Sequence, residues 1–406
     1  MKKVSCLIIA VIILCVMGCC PKDSQNTLYN ITVIDMHKEY PVIDIKLSDI
    51  ADVSYIPLKG KDNTVFKTNR HEYDNAIFIE GNYLFIADGF PVEYDKESKT
   101  TTVLPDAAHL YMFDIEGNFI RTIVNPGFNE DQFLGYGMNF TTSLKSEIIT
   151  VHGATQDVMK LFDLNGTFLG SHNLGKRYSQ HVALGDTLLF VDFNSQYLKY
   201  DGSVKDNGRT FLYYDILANT AINGKDLHMN PNSKKPEYLT SSKIVKTATG
   251  AYLVNPRTDT IYHINRNLEI SPKFVTIWND TESDQCVIPI AETDDYVLFS
   301  SAIDYISEYK GKLPIKTYYL DKRDSQLYEV NCSDSNSKSF EESIFKDELL
   351  LGYYSTTQNP NTLAYVLPIS YLKENYDLLP ADLKHIADIA ADNDNPVLMI
   401  LKFKDI

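Results

Sequence analysis

Short apolar runs separated by polar turns make up most of this chain. Residues 110–123, LYMFDIEGNFIRTI, show the pattern, because two apolar runs flank the tetrad from Asp114 to Gly117. An Asp at the first turn position and a Gly at the fourth favour a type I turn followed by a left-handed residue, which joins two antiparallel strands. The segment therefore predicts a β-hairpin.

The same hairpin pattern recurs at intervals of about fifty residues. Residues 161–170, LFDLNGTFLG, nearly repeat it, with Gly166 in the place of Gly117, and three weaker copies keep the order of strand, polar turn and strand. Aligned on their first turn residue, the copies start 49, 52, 50 and 56 residues apart. Those first turn residues are Asp114, Asp163, Asp215, Asn265 and Asp321.

A second series of short apolar strands precedes the hairpins. A period near fifty residues with about four strands per unit is typical of a β-propeller blade, a small sheet that buries its faces only against its neighbours. A β-sandwich would not explain the recurring turn, and a solenoid would need capping repeats. We therefore predict an all-β fold, a six-bladed β-propeller of four-stranded antiparallel blades. The six strands of this series are residues 81–88, 146–153, 185–193, 250–257, 294–302 and 346–354.

Both ends of the predicted domain carry strands that could close the ring. Residues 41–58 hold two β-prone runs before the first full unit, and residues 395–403, NPVLMILKF, form an apolar strand. We expect these two segments to lie in one sheet. Residues 378–394 instead show helical spacing and predict a short helix inserted in the last blade, with Pro380 in its first turn. We expect it to pack against the ring, with docking of a partner as the alternative. Its predicted inner face is Leu379, Leu383, Ile386 and Ala390.

The N-terminus predicts export and lipid anchoring. Lys2 and Lys3 precede an apolar run from Val4 to Met17, which is too short to span a bilayer as a helix. The sequence that ends in Gly18 and Cys19 resembles the lipobox of bacterial lipoproteins, which implies cleavage before Cys19 and a diacylglycerol on its sulfur. We therefore expect residues 1–18 to be a lipoprotein signal peptide, residues 19–30 a polar tether and residues 31–406 the propeller domain. An ordinary signal peptide is the alternative.

Charge and cysteine content narrow the choice of partners. The chain carries −16, and removal of residues 1–18 leaves 36 basic against 54 acidic residues, which is −18. An acidic surface repels nucleic-acid phosphates, so we expect no nucleic acid as a partner. The sequence contains no C-x-x-C pair, so it offers no thiol redox motif or zinc ribbon. The role of Cys20 and a disulfide between Cys286 and Cys332 after export stay open.

Three stretches carry a resemblance to a family. Residues 45–60, IKLSDIADVSYIPLKG, residues 113–123, FDIEGNFIRTI, and residues 392–404, DNDNPVLMILKFK, are similar to lipid-anchored six-bladed β-propeller proteins of Gram-negative gut anaerobes, which are NHL-like or TolB-like. The resemblance covers nearly the whole mature chain. It implies an outer-membrane location, on the periplasmic face or the cell surface, and leaves the activity open.

Motifs for known chemistry are missing from the sequence. It contains no H-E-x-x-H, no G-x-S-x-G and no P-loop, and none of its nine histidines forms an i, i+2 or i, i+4 pair. We expect the histidines in turns or at the surface. The acidic stretches 321–324, DKRD, and 392–395, DNDN, lack the glycine and the final glutamate of a calcium loop, so we interpret them as solvated turns. We predict no catalytic, cofactor-binding or metal-binding residue and one lipid attachment site, Cys19.

Two classes of function remain, because fold does not decide between them. Propellers bind ligands at the mouth or along the central channel. We predict a monomeric binding or scaffold module for a glycan, peptide or protein partner, which is not catalytic and needs no cofactor. The alternative is a calcium-dependent hydrolase or lactonase with its site in the channel. A mixed or apolar axis would favour binding, whereas a cluster of carboxylates and Asn would favour the enzyme, with Asp88, Asp192, Asn255 and Asp304 as candidate ligands.

Overall fold

A computed structural model shows the architecture. It describes residues 31–60, 77–87, 92–95, 100–103, 109–133, 138–143, 146–153, 156–175, 178–192, 211–223, 243–254, 259–277, 285–303, 316–331, 359–392 and 394–406. These residues belong to one unit of the chain, Ile31–Ile406.

The described residues are mostly β-strands, joined by short turns. The strands are β1 (Thr32–Asp35), β2 (Val42–Asp44), β3 (Ala51–Pro57), β4 (Ile77–Glu80), β5 (Tyr83–Ala87), β6 (Val92–Asp95), β7 (Thr100–Val103), β8 (Leu110–Asp114), β9 (Phe119–Pro126), β10 (Gln132–Phe133), β11 (Met138–Ser143), β12 (Ile148–Gly153), β13 (Val158–Asp163), β14 (Phe168–Asn173), β15 (Tyr178–Leu184), β16 (Thr187–Asp192), β17 (Phe211–Asp215), β18 (Thr220–Asn223), β19 (Lys243–Lys246), β20 (Gly250–Val254), β21 (Thr260–Asn265), β22 (Ile270–Ile277), β23 (Gln285–Glu292), β24 (Tyr296–Ile303), β25 (Thr317–Asp321), β26 (Gln326–Asn331), β27 (Thr362–Leu367) and β28 (Val397–Phe403). The α-helices are α1 (Leu47–Ile50), α2 (Ile369–Glu374) and α3 (Ala381–Ile389), and Tyr376–Leu378 form a 3₁₀ turn.

Six sheets, which we call blades 1 to 6, follow one another along the chain. Blade 1 contains β4, β5, β8, β9 and β10, blade 2 contains β11 to β14, and blade 3 contains β15 to β18. Blade 4 contains β19 to β22 with β1, blade 5 contains β23 to β26 with β2, and blade 6 contains β27, β28 and β3. Strands β6 and β7 form a separate hairpin.

Among the described residues the apolar core consists of six clusters, one between each pair of successive blades. The cluster that matters most for the architecture joins the last blade to the first, because it contains Leu398 and Ile400 of blade 6 with Leu84 and Phe113 of blade 1. Each blade therefore buries both faces against its neighbours, and the series closes on itself. The prediction of a six-bladed β-propeller is confirmed.

The segment from β1 to β3 runs along the outer edges of three blades in turn. Strand β1 pairs in parallel with β22 of blade 4, and β2 pairs in parallel with β26 of blade 5. The predicted architecture of antiparallel blades is confirmed, and the described blades have three to five strands because β1, β2 and β10 add to outer edges. The physical reason is that an outer strand leaves unpaired N–H and C=O groups, which these added strands satisfy. Residues 346–354, predicted as a strand of the last unit, lie outside the described residues.

Strand β28 closes the ring by lying between strands from both ends of the domain. It pairs antiparallel with β27 and with β3, with Val397 opposite Pro57 and Phe403 opposite Ala51. Beyond β28, the backbone N–H of Lys404 donates to the carbonyl of Ile50 at 3.0 Å. The prediction that residues 41–58 and 395–403 share a sheet is confirmed for the second run, β3, whereas the first run, β2, lies in blade 5.

The predicted helical insertion lies between β27 and β28. Leu379 and Leu383 are buried, and Ile386 and Ala390 pack against the cluster shared by blades 5 and 6. The helix is shorter than predicted, since α3 covers only Ala381–Ile389 and the preceding turn is 3₁₀. The expectation that the insertion packs against the ring is confirmed.

All five predicted turns join the third and fourth strands of their blades. At the first two, the side-chain oxygen of Asp114 accepts a bond from the backbone of Asn118 at 2.8 Å, and that of Asp163 accepts one from Thr167 at 2.7 Å. Each turn also contains one residue with a positive φ, a conformation that glycine adopts at little cost. These residues are Gly117 (82°), Gly166 (81°), Asn219 (55°), Leu268 (65°) and Ser325 (59°).

Replacement of Gly117 by Ala is expected to destabilise the ring. The new Cβ would lie 2.9 Å from Ile56 Cγ2 and closer still to the carbonyl oxygen of Pro57, both in β3 of blade 6. We expect a loss of about 3 kcal/mol in the free energy of unfolding, the sum of the left-handed strain and the crowding. Gly185→Ala is the matched control, because Gly185 also has a positive φ (72°) but nothing within 4 Å of its Cβ position. We expect it to cost about 1 kcal/mol, and equal losses in denaturant titrations of the two variants would contradict the packing of Gly117 on β3.

Candidate functional site

In blades 1 to 5 the first strand lies at one edge of its sheet. The first strands of blades 2, 3 and 4, which are β11, β15 and β19, contact one another in succession. The strands added at the blade edges, β10, β1 and β2, pair at the opposite edge. Side chains at the ends of the first strands are therefore the nearest ones to the axis of the ring.

A cation and an aromatic ring meet across this axis. The Nζ atom of Lys246, at the end of β19, lies 5.4 Å from the ring centroid of Phe78 in β4. Blades 4 and 1 are three places apart in a ring of six, so they are opposite each other and this contact crosses the centre. Glu80 lies two residues after Phe78, on the same face of β4. We call Phe78, Glu80 and Lys246 the axial charge cluster.

The two charged groups of the axial charge cluster are partly removed from water. Burial lowers the pKa of Lys246, with the charge of Arg266 acting in the same direction and that of Glu80 opposing it. Burial raises the pKa of Glu80, and the charge of Lys246 opposes that change. Each group therefore lies in the field of the other.

Neither charge has a close partner among the described residues. Within the described residues, the side chains of Glu80 and Lys246 make no hydrogen bond and no ion pair. Glu292, which ends the first strand of blade 5, is different, because its Oε1 lies 2.8 Å from the Nζ of Lys322. The axial charge cluster thus contains a carboxylate and an ammonium group that form no hydrogen bond with the described residues.

Two asparagines fix the neighbouring inner strands. The side-chain oxygen of Asn359 accepts a bond from the backbone N–H of Ile79 at 2.8 Å, and its amide donates to the Ile79 carbonyl. The side-chain oxygen of Asn361 accepts a bond from the Glu292 N–H at 2.7 Å. Sequence reasoning missed these residues and the axial charge cluster. The N-P-N stretch at residues 359–361 was the only local signal, and it does not reveal its distant partners.

A pair of histidines is buried between blades 2 and 3, which corrects the expectation of surface or turn positions. His152 in β12 and His181 in β15 are 0% and 1% exposed, and their ring centroids are 6.0 Å apart. His181 Nε2 lies 3.0 Å from the hydroxyl oxygen of Thr150, and His152 Nε2 donates to the carbonyl of Gln156 at 3.0 Å. Burial lowers the pKa of His152 to about 4 and the pKa of His181 to about 3. Both rings are neutral at pH 7, and sequence spacing gave no sign that they would meet.

The histidine pair predicts a loss of stability in mild acid. Both groups have a lower pKa in the folded chain than the ordinary value of 6.5. The unfolded chain therefore binds more protons below pH 6.5, and stability falls as the pH falls from 6.5 towards 4. The expected loss between pH 7 and pH 5 is about 2 kcal/mol for each histidine.

Urea unfolding at several pH values tests this expectation. His181→Asn should remove about half of the difference between pH 7 and pH 5. The control is His385→Asn, because His385 is exposed on α3. A pH dependence that is the same in the wild type and in His181→Asn would contradict the burial of a neutral His181.

The residues proposed from sequence lie mostly beyond the described parts of the chain. Asp88, Asn255 and Asp304, together with the lipid attachment residue Cys19, are outside them. Asp192 ends β16, but its side chain is not described. The calcium set therefore stays a prediction.

The two acidic stretches are engaged with nearby groups in the structure. Asp321 lies 2.6 Å from the guanidinium of Arg323, whose hydrogen bonds lower the pKa of that carboxyl. Asp392 lies 2.6 Å from the Nζ of Lys373. Among the described residues, no group of three or more His, Cys, Asp or Glu side chains could hold a metal ion. Asp321 therefore pairs with a cation of its own turn, and Asp392 pairs with a lysine of α2.

Fold and axis together define a six-bladed β-propeller protein with a mixed, charged centre. No protein-family model and no curated protein matches the sequence. Among solved structures, a candidate exported protein from Bacteroides fragilis is similar, with a TM-score of 0.61, 18% identity and coverage of 92% of this chain and 100% of that one. At that identity the likeness shows a shared fold.

Two other solved structures are more distant. A member of the DUF4221 family from Bacteroides vulgatus has a TM-score of 0.45 and 10% identity, over 88% of this chain and 98% of that one. A streptogramin B lyase has a TM-score of 0.37 and 11% identity, over 69% of this chain and 87% of that one. No helix in the described part of the chain is long and apolar enough to cross a bilayer.

Proposed function

We propose that this protein is a lipid-anchored binding module of the outer membrane, without catalytic activity. In this proposal residues 1–18 are a signal peptide, Cys19 carries the lipid, residues 19–30 are the tether, and the propeller of residues 31–406 binds a glycan, peptide or protein partner as a monomer. The similar structure of a candidate exported protein from Bacteroides fragilis supports export. The lipobox-like sequence before Cys19 supports the anchor.

The observation that carries the binding role is the axial charge cluster. A binding module is expected to have apolar or mixed side chains along the axis of the ring. Here an ammonium group lies over an aromatic ring, beside a carboxylate. An ammonium group at that place repels a calcium ion, since like charges in a partly dry site interact strongly. The charge of Lys246 therefore argues against a calcium-dependent hydrolase centred on this part of the axis.

The test combines capture with metal titration. An epitope-tagged full chain, solubilised in detergent from envelopes, is expected to enrich a specific glycan or protein over envelopes that lack the tag, as judged by mass spectrometry and glycan staining. Calcium and EDTA are expected to leave its melting temperature unchanged. Enrichment of nothing would overturn the binding role, and a melting temperature that rises with calcium and falls with EDTA would favour the hydrolase.

A further inference from the structure

We propose that the axial charge cluster binds a carboxylate group that has a hydrogen-bond donor beside it. Uronic acids and peptide C-termini share this chemistry, because each places a hydroxyl or an amide N–H group near a carboxylate. The proposal rests on the binding role given above and assigns to it a site and a class of ligand.

Lys246 supplies the group that binds the carboxylate. An ammonium group has three donors and no acceptor, and within the described residues none of the three makes a hydrogen bond. The ring of Phe78 lies on one side of it at 5.4 Å, which attracts the cation and restricts its position. A group held in place before binding loses less freedom when the ligand arrives. A ligand carboxylate would form a charge-assisted hydrogen bond with this ammonium group.

Glu80 supplies the group that binds the neighbouring donor. An ionised carboxylate only accepts hydrogen bonds, and Glu80 has no such bond within the described residues. Glu80 is partly buried, which makes an unpaired charge unfavourable, so a donor from the ligand would stabilise it. Glu80 also gives selectivity, because an anion without a donor on that side would be repelled.

Local charge explains why an anionic group would enter an acidic protein here. The whole chain carries −16, which opposes the approach of anions in general. At the axis, however, Lys246 lies close enough to Arg266 for the two charges to interact, and the guanidinium of Arg266 donates to the Ala248 carbonyl at 2.9 Å. Among the described residues here, Lys246 and Arg266 outnumber Glu80, and the charge of Glu292 is paired with Lys322.

Isothermal titration of the detergent-solubilised full chain tests the site with three probes. Galacturonate stands for the uronic acids, glycylglycine for peptide C-termini, and acetate for a carboxylate without a neighbouring donor. We expect galacturonate or glycylglycine to bind more tightly than acetate, and the one that binds identifies a glycan or a peptide source. Lys246→Met should weaken that binding by at least about tenfold. Glu80→Gln should bring its affinity close to that of acetate.

Lys38→Met is the matched control, because Lys38 also lies over an aromatic ring, 5.5 Å from the centroid of Tyr40, but at the rim of the ring. It should leave binding unchanged. A second measurement uses no variant at the site: the bound probe should protect Lys246 of the wild type from acetylation, as read by mass spectrometry. No binding of either probe, or no protection of Lys246, would overturn the proposal. If the captured envelope partner also binds Lys246→Met equally well, this site is wrong while the binding role stands.

Discussion

Removal of residues 396–406 should abolish cooperative unfolding of the propeller. The deletion takes away β28, the middle strand of blade 6, which pairs with β27 on one side and with β3 on the other. It also removes six buried side chains from the two clusters that blade 6 shares with its neighbours. At about 1.5–3 kcal/mol for each side chain, the loss equals or exceeds the whole stability of an ordinary domain. Calorimetry should show no transition, and unchanged melting would refute ring closure. The six are Val397, Leu398, Met399, Ile400, Leu401 and Phe403.

A deletion of this size could unfold many proteins, so a second variant tests closure itself. Asp52 and Lys402 are opposite each other on β3 and β28, and both are exposed. Cysteines at these two positions should form a disulfide, because directly opposite residues in antiparallel strands have the required separation. Peptide mapping after oxidation should recover the 52–402 link. Absence of that link in the folded protein would contradict the pairing of the two ends.

Replacement of Cys19 by Ala should release the protein from the membrane fraction. Two or three acyl chains give stable anchoring, since each buried CH₂ contributes about 0.8 kcal/mol, and the variant would carry none. The apolar run before Cys19 is too short to replace the anchor as a spanning helix. Fractionation of cells by ultracentrifugation should move the protein from the pellet to the soluble fraction.

The neighbouring cysteine gives a matched control for the anchor. Cys20→Ala changes the adjacent residue to the same side chain and should leave the protein in the membrane fraction. Metabolic labelling with a palmitate analogue adds a direct readout, because the label should be present in Cys20→Ala and absent from Cys19→Ala. Label that persists in Cys19→Ala, or fractionation that does not change, would count against lipidation at Cys19.

Local sequence was sufficient to predict the repeating unit and its turns. Asp114 and Gly117 form their turn through bonds that span only four residues, so the tetrad carries the whole signal. The same holds for the insertion around α3, where apolar residues at helical spacing face the ring. The parallel pairing of β1 and β2 at the outer edges was not predicted, because the partner strands β22 and β26 lie more than two hundred residues away.

The sequence by itself determined the number of blades, the hairpins and the strands that close the ring, since these depend on short-range turn chemistry and on a repeated apolar pattern. Only the tertiary structure decided which polar groups meet. Lys246 and Phe78 are 168 residues apart in sequence, and His152 and His181 lie in different blades. The closed ring brings each pair together, because it places blade 4 opposite blade 1 and blade 2 beside blade 3. A local sequence pattern does not contain this information, because it depends on how distant blades are arranged.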